Sequence, residues 1–193
     1  MADTLAPVSP LQGWEHKISA LPESVRLSEE PFVAMVDLRI DAPAAAAPVC
    51  GVDLPTVSST FARSGDTTVI WLGPNEWLVT DTFRTGRALE AELRAAVAPH
   101  GGAAVDVSAQ RTTLRLRGAH ARDVLAKGCS LDLHPNVFTA GSAAQTTLAR
   151  AGIVLLALDD TGTDHRILVR SSFARYLTDW LLDAAIEFSL DNR

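Results

Sequence analysis

The sequence predicts an α+β fold, a single domain of two pseudo-repeated halves in which antiparallel strands are covered by helices. Three observations predict it. Runs of β-rich residues recur along the chain, two stretches carry apolar residues at helical spacing, and several short motifs return in the same order in both halves. Residues 1–30 read as a loop-like N-terminal arm, and residues 31–193 as the domain, with pseudo-repeats at about 31–104 and 105–193.

The arm holds Pro7, Pro10, Gly13 and Pro22, with Pro31 just beyond it, and isolated apolar residues (Leu11, Trp14, Ile18, Leu21) without a sustained period. Such a segment packs over its own domain or reaches a partner. Phe32, Ala34, Val36, Leu38 and Ile40 then alternate as one face of a strand. Ala42 to Pro48 is rich in Pro and Ala and too Pro-flanked for a helix. Thr67 to Leu72 and Glu76 to Thr80 are joined by Gly73-Pro74-Asn75, the signature of a hairpin.

A helix is predicted from about Thr85 to Ala98, with Leu89, Leu93, Ala96 and Val97 on one face, ended by Pro99 and Gly101-Gly102. Ala103 to Val107 and Thr112 to Arg117 read as strands, and Ala119 to Lys127 as a short helix capped by Gly128. Ala143 to Arg150, Ile153 to Leu158 and Arg166 to Val169 are further strands. Ile153 to Leu158 has no polar face and belongs inside a sheet. The last helix starts near Ser172 as N-cap and buries Leu177, Trp180, Leu181, Ala184 and Phe188.

The internal repeat rests on four echoes. Asp37-Leu-Arg-Ile matches Thr113-Leu-Arg-Leu, and Cys50-Gly-Val-Asp-Leu-Pro matches Cys129-Ser-Leu-Asp-Leu-His-Pro. Ala62-Arg-Ser-Gly matches Ala149-Arg-Ala-Gly, and Glu76-Trp-Leu-Val-Thr matches Arg166-Ile-Leu-Val-Arg. Two such halves would pool their strands and cover one sheet face with helices.

Composition narrows the function classes. With 193 residues, 47% hydrophobic, the chain is long enough for a sizeable core and too apolar for intrinsic disorder. No apolar run approaches a membrane span. Met1-Ala-Asp-Thr-Leu lacks the basic and apolar regions of a signal peptide, so a cytoplasmic protein with two reduced thiols is expected. The net charge of −6 lies mostly in the first sixty residues, where eight acids face Lys17, Arg26 and Arg39. Nucleic acid is a poor partner for such a chain. The one basic stretch, Arg111 to Lys127, alternates with Leu114 and Leu116; a solvated strand face is preferred there over a phosphate-binding surface.

Motifs for chemistry are sparse. His16, His100, His120, His134 and His165 are scattered, Cys50 and Cys129 lie far apart, and no metal-ligand spacing results. Gly-x-Gly-x-x-Gly, P-loop and Gly-x-Ser-x-Gly patterns are missing. Asp106, Ser108, Gln110 and Arg111 could position a carboxylate against a ligand, although a turn bonding its own backbone is preferred. Lys127 beside Cys129 could lower a thiol pKa, and Lys127-Gly128-Cys129 matches part of a folate-binding repair-protein motif. The sequence departs from that motif at Ser130-Leu131-Asp132, so Cys129 is read as structural. Trp71 and Trp77 face each other across the hairpin turn, one expected inward and one outward, with Trp77 the candidate partner-interface anchor. No catalytic, cofactor-binding or metal-ligating residue is assigned.

Several linked motifs together resemble the gamma subunit of heterotetrameric sarcosine oxidase. They are Trp71-Leu-Gly-Pro-Asn-Glu-Trp-Leu-Val, Val105-Asp-Val-Ser-Ala-Gln-Arg-Thr, and Ala126-Lys-Gly-Cys-Ser-Leu-Asp-Leu-His-Pro with Phe138 and Gly141-Ser-Ala-Ala-Gln-Thr. The closing Arg166-Ile-Leu-Val-Arg-Ser-Ser-Phe-Ala-Arg-Tyr-Leu-Thr-Asp-Trp-Leu also fits, and the likeness runs from about residue 30 to the C-terminus. The resemblance implies a folate-binding aminomethyltransferase-like fold and a complex with alpha, beta and delta subunits. That complex would oxidatively demethylate sarcosine to glycine, form hydrogen peroxide and pass a one-carbon unit to tetrahydrofolate. FAD, FMN and NAD would sit in or between alpha and beta, zinc in delta, and no cofactor in this chain. A non-catalytic structural subunit is the expected function. The alternatives are an autonomous folate-binding aminomethyltransferase-like enzyme, using the turn around Asp106 and Arg111, and a free-standing binding protein for a small amine or acid.

Overall fold

The computed structural model describes residues 6–41 and 48–190. The Ala42 to Pro48 stretch lies almost wholly outside them, as do the first five residues of the arm. In chain order the elements are α1 (Glu15–Ile18), β1 (Arg26–Glu30), β2 (Ala34–Arg39), β3 (Phe61–Ser64), β4 (Thr67–Gly73), β5 (Glu76–Asp81) and α2 (Gly86–Val97). There follow β6 (Ala103–Asp106), β7 (Arg111–Arg117), α3 (Ala121–Ala126), β8 (Ala143–Leu148), β9 (Ala151–Ala157), β10 (Asp164–Arg170), α4 (Ala174–Ala184) and α5 (Ile186–Leu190).

The strands do not pool into one sheet. They form two five-stranded antiparallel sheets, ordered β3-β4-β5-β2-β6 and β8-β9-β10-β7-β1. Met35, Ile70 and Leu78 of the first pack against Ala143, Val154, Leu156 and Leu168 of the second. On the opposite faces, Leu89, Leu93 and Val97 of α2 cover Val36, Leu38, Val69, Trp77 and Val79. Leu177 and Leu181 of α4, with Val124 and Leu125 of α3, cover Leu114, Leu116, Ile153, Leu155, Ile167 and Val169. The layers therefore run helix, sheet, sheet, helix. The physical reason is in the strands: β4, β5, β9 and β10 are apolar on both faces, so each sheet needs two coverings rather than one.

Read in those two orders, β2 corresponds to β7, β3 to β8, β4 to β9 and β5 to β10. Register agrees with order. Asp37 pairs with Leu78, and their counterparts by sequence echo, Thr113 and Leu168, pair as well. The edge strands are exchanged: β1 precedes β2 but joins the second sheet beside β7, while β6 precedes β7 but joins the first beside β2. One of the four echoes fails this test. Ala62 pairs with Val69 as Thr146 pairs with Ile153, so the register partner of Ala62 is Thr146 and not Ala149.

Three further expectations need correction. Residues 6–30 are more than a loop-like arm, because α1 and β1 lie there and Leu11, Val25 and Leu27 are buried in the second sheet's core. Ser172 does not cap the last helix; Ser171–Phe173 form a 3₁₀ turn and α4 starts at Ala174, with no side-chain cap bond. Gly128 is not a left-handed cap. A Cβ there would come within 2.6 Å of the Trp180 ring, so its bareness admits the indole. Thr85 does cap α2, accepting from the Ala88 amide at 3.3 Å.

Candidate functional site

The turn at Asp106 to Arg111 satisfies itself. Asp106 Oδ1 accepts from the Ser108 amide at 2.9 Å, and Ser108 Oγ accepts from the Met35 amide at 2.9 Å. Gly86 makes room for this turn, since a Cβ there would lie 2.4 Å from Asp106 Oδ2 and Ser108 Oγ. The cluster fastens the turn between β6 and β7 to Met35 of β2, while the Arg111 side chain lies outside it.

Neither cysteine is set up as a nucleophile. Burial, followed by a hydrogen bond and charge from Glu92, pushes the Cys50 thiol up to about 12, so it stays protonated. Cys129 forms an isolated bridge with Leu148 and packs against the second core. The histidines remain apart. His165 is 0% exposed, and desolvation lowers its pKa against the opposing charges of Asp159 and Asp164. His120 stacks on Phe188 with centroids 4.4 Å apart. Among the described residues no three His, Cys, Asp or Glu side chains gather as metal ligands, and no helix is long and apolar enough to cross a membrane.

Trp77 corrects the interface expectation. It is 0% exposed, points to α2 on the same face as Val79, and its indole Nε1 donates to Pro55 O at 2.8 Å. A partner could touch it only by opening the core. Trp71 is half-buried against the same cluster. The most exposed large apolar side chains among the described residues are Val8, Phe32, Val57, Phe83 and Val137.

The charged geometry lies on the face of the second sheet that also carries Leu168. Arg115 and Arg166 stand opposite each other on β7 and β10, and so do Arg111 and Arg170 at the other end. The first pair is neutralised. Arg115 donates twice to Asp164, at 2.9 and 2.6 Å, and Arg166 twice to Glu30, at 2.7 and 3.1 Å. Glu30 arrives on β1, the strand lent by the first half. Sequence reading missed this network because alternating arginines with leucines look like a solvated face, and the balancing acids are distant in the chain.

The chain is thus a duplicated, strand-exchanged α+β domain of two packed sheets whose polar clusters bind its own elements together. The model of the family described as sarcosine oxidase, gamma subunit, matches residues 38–187. Sarcosine oxidase subunit gamma of Corynebacterium sp. strain P-1 is 36% identical over 185 residues, covering 91% of this chain and 89% of that protein. The strain U-96 subunit is 37% identical over 171 residues, covering 86% and 82%. The chain belongs to the sarcosine oxidase gamma subunit family. Among solved structures, the heterotetrameric sarcosine oxidase from Corynebacterium sp. U-96, in complex with pyrrole 2-carboxylate, aligns at TM-score 0.85 and 34% identity, over 95% of this chain and 96% of that one. The glycine cleavage system aminomethyltransferase T from Bartonella henselae aligns at 0.60 and 19% identity, over 91% of this chain and 50% of that one, a likeness of fold alone.

Proposed function

We propose that this chain is the non-catalytic gamma subunit of a heterotetrameric sarcosine oxidase, holding alpha, beta and delta partners in place while they carry out the oxidative demethylation of sarcosine. The observation that carries the reading is the likeness to a chain of the U-96 heterotetramer along almost the whole length of both. The site geometry supports it: Asp106 and Ser108 are consumed by the fold, and Cys50 is held protonated. Flavin, NAD and zinc belong to the partner subunits on this reading, in a cytoplasmic complex.

Purification of the tagged chain from its native host tests the reading. The expected outcome is co-elution with larger subunits whose visible spectrum is that of bound flavin, and hydrogen peroxide formation from sarcosine by that fraction. A chain that elutes alone and without flavin overturns it. Titration with tetrahydrofolate separates the subunit from an autonomous transferase, and saturable binding by the isolated chain would favour the transferase.

A further inference from the structure

The two arginine pairs on the second sheet differ in one respect. Arg115 and Arg166 have Asp164 and Glu30. Arg111 and Arg170, directly opposite in the β7–β10 register, have no carboxylate within 4 Å among the described residues. Arg111 makes only a 3.3 Å contact to Gln110 Oε1. Burial and then the Arg170 charge lower the Arg111 pKa, and the Asp37 charge opposes them as the smallest of the three. Like charges facing across a ladder cost stability unless something neutralises them, and the same sheet demonstrates the remedy a few residues away.

The pair is not packed over by other side chains but borders an open hollow. The pair lines a cavity of about 370 Å³ together with Gln145, Thr146 and Gly152. Gly152 is bare there, with nothing within 4 Å of where a Cβ would stand. Arg111 also lines a second hollow of about 340 Å³, whose other walls include Pro7, Val8, Pro10, Phe32 and Ala109. Val8 is 68% and Phe32 60% exposed, and Phe32 is held at φ +59. A small inorganic anion has no use for that apolar wall. A polypeptide has use for both.

We propose that Arg111 and Arg170, with the apolar groove that Arg111 shares, are the seat for a partner-subunit segment presenting a carboxylate next to an apolar side chain. The proposal rests on the subunit reading and names the chemistry of the contact within it. The guanidinium pair takes the carboxylate as Arg115 and Arg166 take Asp164 and Glu30, and Phe32 and Val8 take the neighbouring side chain.

The test uses the whole complex, co-expressed with its partner subunits and captured through a tag on this chain, with the melting temperature of each purified variant as the folding control. Arg111→Glu with Arg170→Glu should weaken partner binding by roughly 100-fold. Arg170→Ala should weaken it by about 10-fold, and binding by the native chain should fall as salt rises. Gly152→Leu keeps both charges and fills the cavity, so it should also weaken binding about 10-fold while the chain melts as before. Arg63→Glu, the same charge reversal made at one site on exposed β3, should leave binding within about twofold. If the double variant does not fold, Arg170→Ala and Gly152→Leu decide. Folded variants that assemble like the native chain overturn the proposal, as does an equal loss with Arg63→Glu. Stabilisation of the chain by citrate that depends on Arg170, without any loss of assembly, also overturns it and makes the pair a small-anion site. A native chain that captures no partner defeats the subunit reading itself, and this proposal falls with it.

Discussion

The two halves of the domain share a strand order and a register but fill equivalent positions differently. Near the start of β5 stands Trp77, and at the matching place on β10 stands Ile167, both fully buried beneath their helices. At the end of β5 stands Asp81, and its match Ser171 lies just past the end of β10. Duplication conserves the ladder because backbone pairing fixes geometry, while each core is repacked by whatever volumes suit it. The first half sets Trp77 and the buried Asp81 where the second sets Ile167 and Ser171, and the second adds a larger aliphatic cluster and two further helices. Breaking matched positions should therefore hurt the halves unequally.

Trp77→Ala should be the most damaging, costing about 3–5 kcal/mol, against roughly 2–4 kcal/mol for Ile167→Ala. Urea unfolding of the purified chain measures both. A Trp77→Ala chain as stable as the native one would return that residue to the surface. Asp81 comes next. It is 0% exposed and accepts from the Phe83 amide at 2.9 Å, the Arg84 amide at 2.7 Å, Thr67 Oγ1 at 2.7 Å and Arg84 Nη1 at 2.6 Å. Asp81→Ala strands those donors and should cost about 2–4 kcal/mol. Ser171 Oγ makes one exposed bond to Ala109 O, and Ser171→Ala should cost under ~1 kcal/mol.

These matched positions also mark what could be read from sequence. The β4–β5 hairpin was legible because Gly73-Pro74-Asn75 is strong local turn chemistry, and α2 because Leu89, Leu93 and Val97 keep helical spacing. Strand β1 was not, since Ser28, Glu29 and Glu30 look like solvated loop until Thr112 and Arg166 are seen beside them. Nor was the division into two sheets. Residues such as Leu78 and Val79 are both apolar, and only the third dimension says which faces a sheet and which a helix. The Asp106 turn was legible as a self-satisfied one, whereas the unneutralised Arg111–Arg170 pair was hidden, because sequence does not announce which strands are neighbours.

Acid should also separate the halves. Burial would raise the Asp81 carboxyl, but the Arg84 amide, Thr67 hydroxyl, Phe83 amide and Arg84 guanidinium together hold it low. The unfolded carboxyl takes its proton near pH 3.8 and the folded one lower, so this stability is present above that pH and lost below it. His165 works at a higher pH. Desolvation lowers its folded pKa, so the unfolded chain binds the proton first as pH drops through 6.5. Stability should then decline below pH 6.5, by at most about 1.4 kcal/mol per pH unit for one proton. His165→Leu should flatten the profile between pH 5 and 6.5 while leaving the collapse near pH 3–4 in place. Unchanged acid sensitivity in that variant would assign the upper limb to another group.

The smallest effect concerns the turns that lead into β2 and β7. The second half enters β7 through the 3₁₀ turn Ser108–Gln110, tied down by the Ser108 side chain. The first half enters β2 past Phe32 at φ +59, a left-handed conformation that costs an L-residue about 1–2 kcal/mol. Phe32→Gly removes that strain but adds about 0.5–1 kcal/mol of chain entropy to the cost of folding. With a 60% exposed ring, little burial is lost. The balance favours a gain of a few tenths to ~1 kcal/mol in the isolated chain. If the ring also grips a partner, the same substitution should weaken assembly while it raises the melting temperature, an opposition that a purely structural Phe32 would not produce.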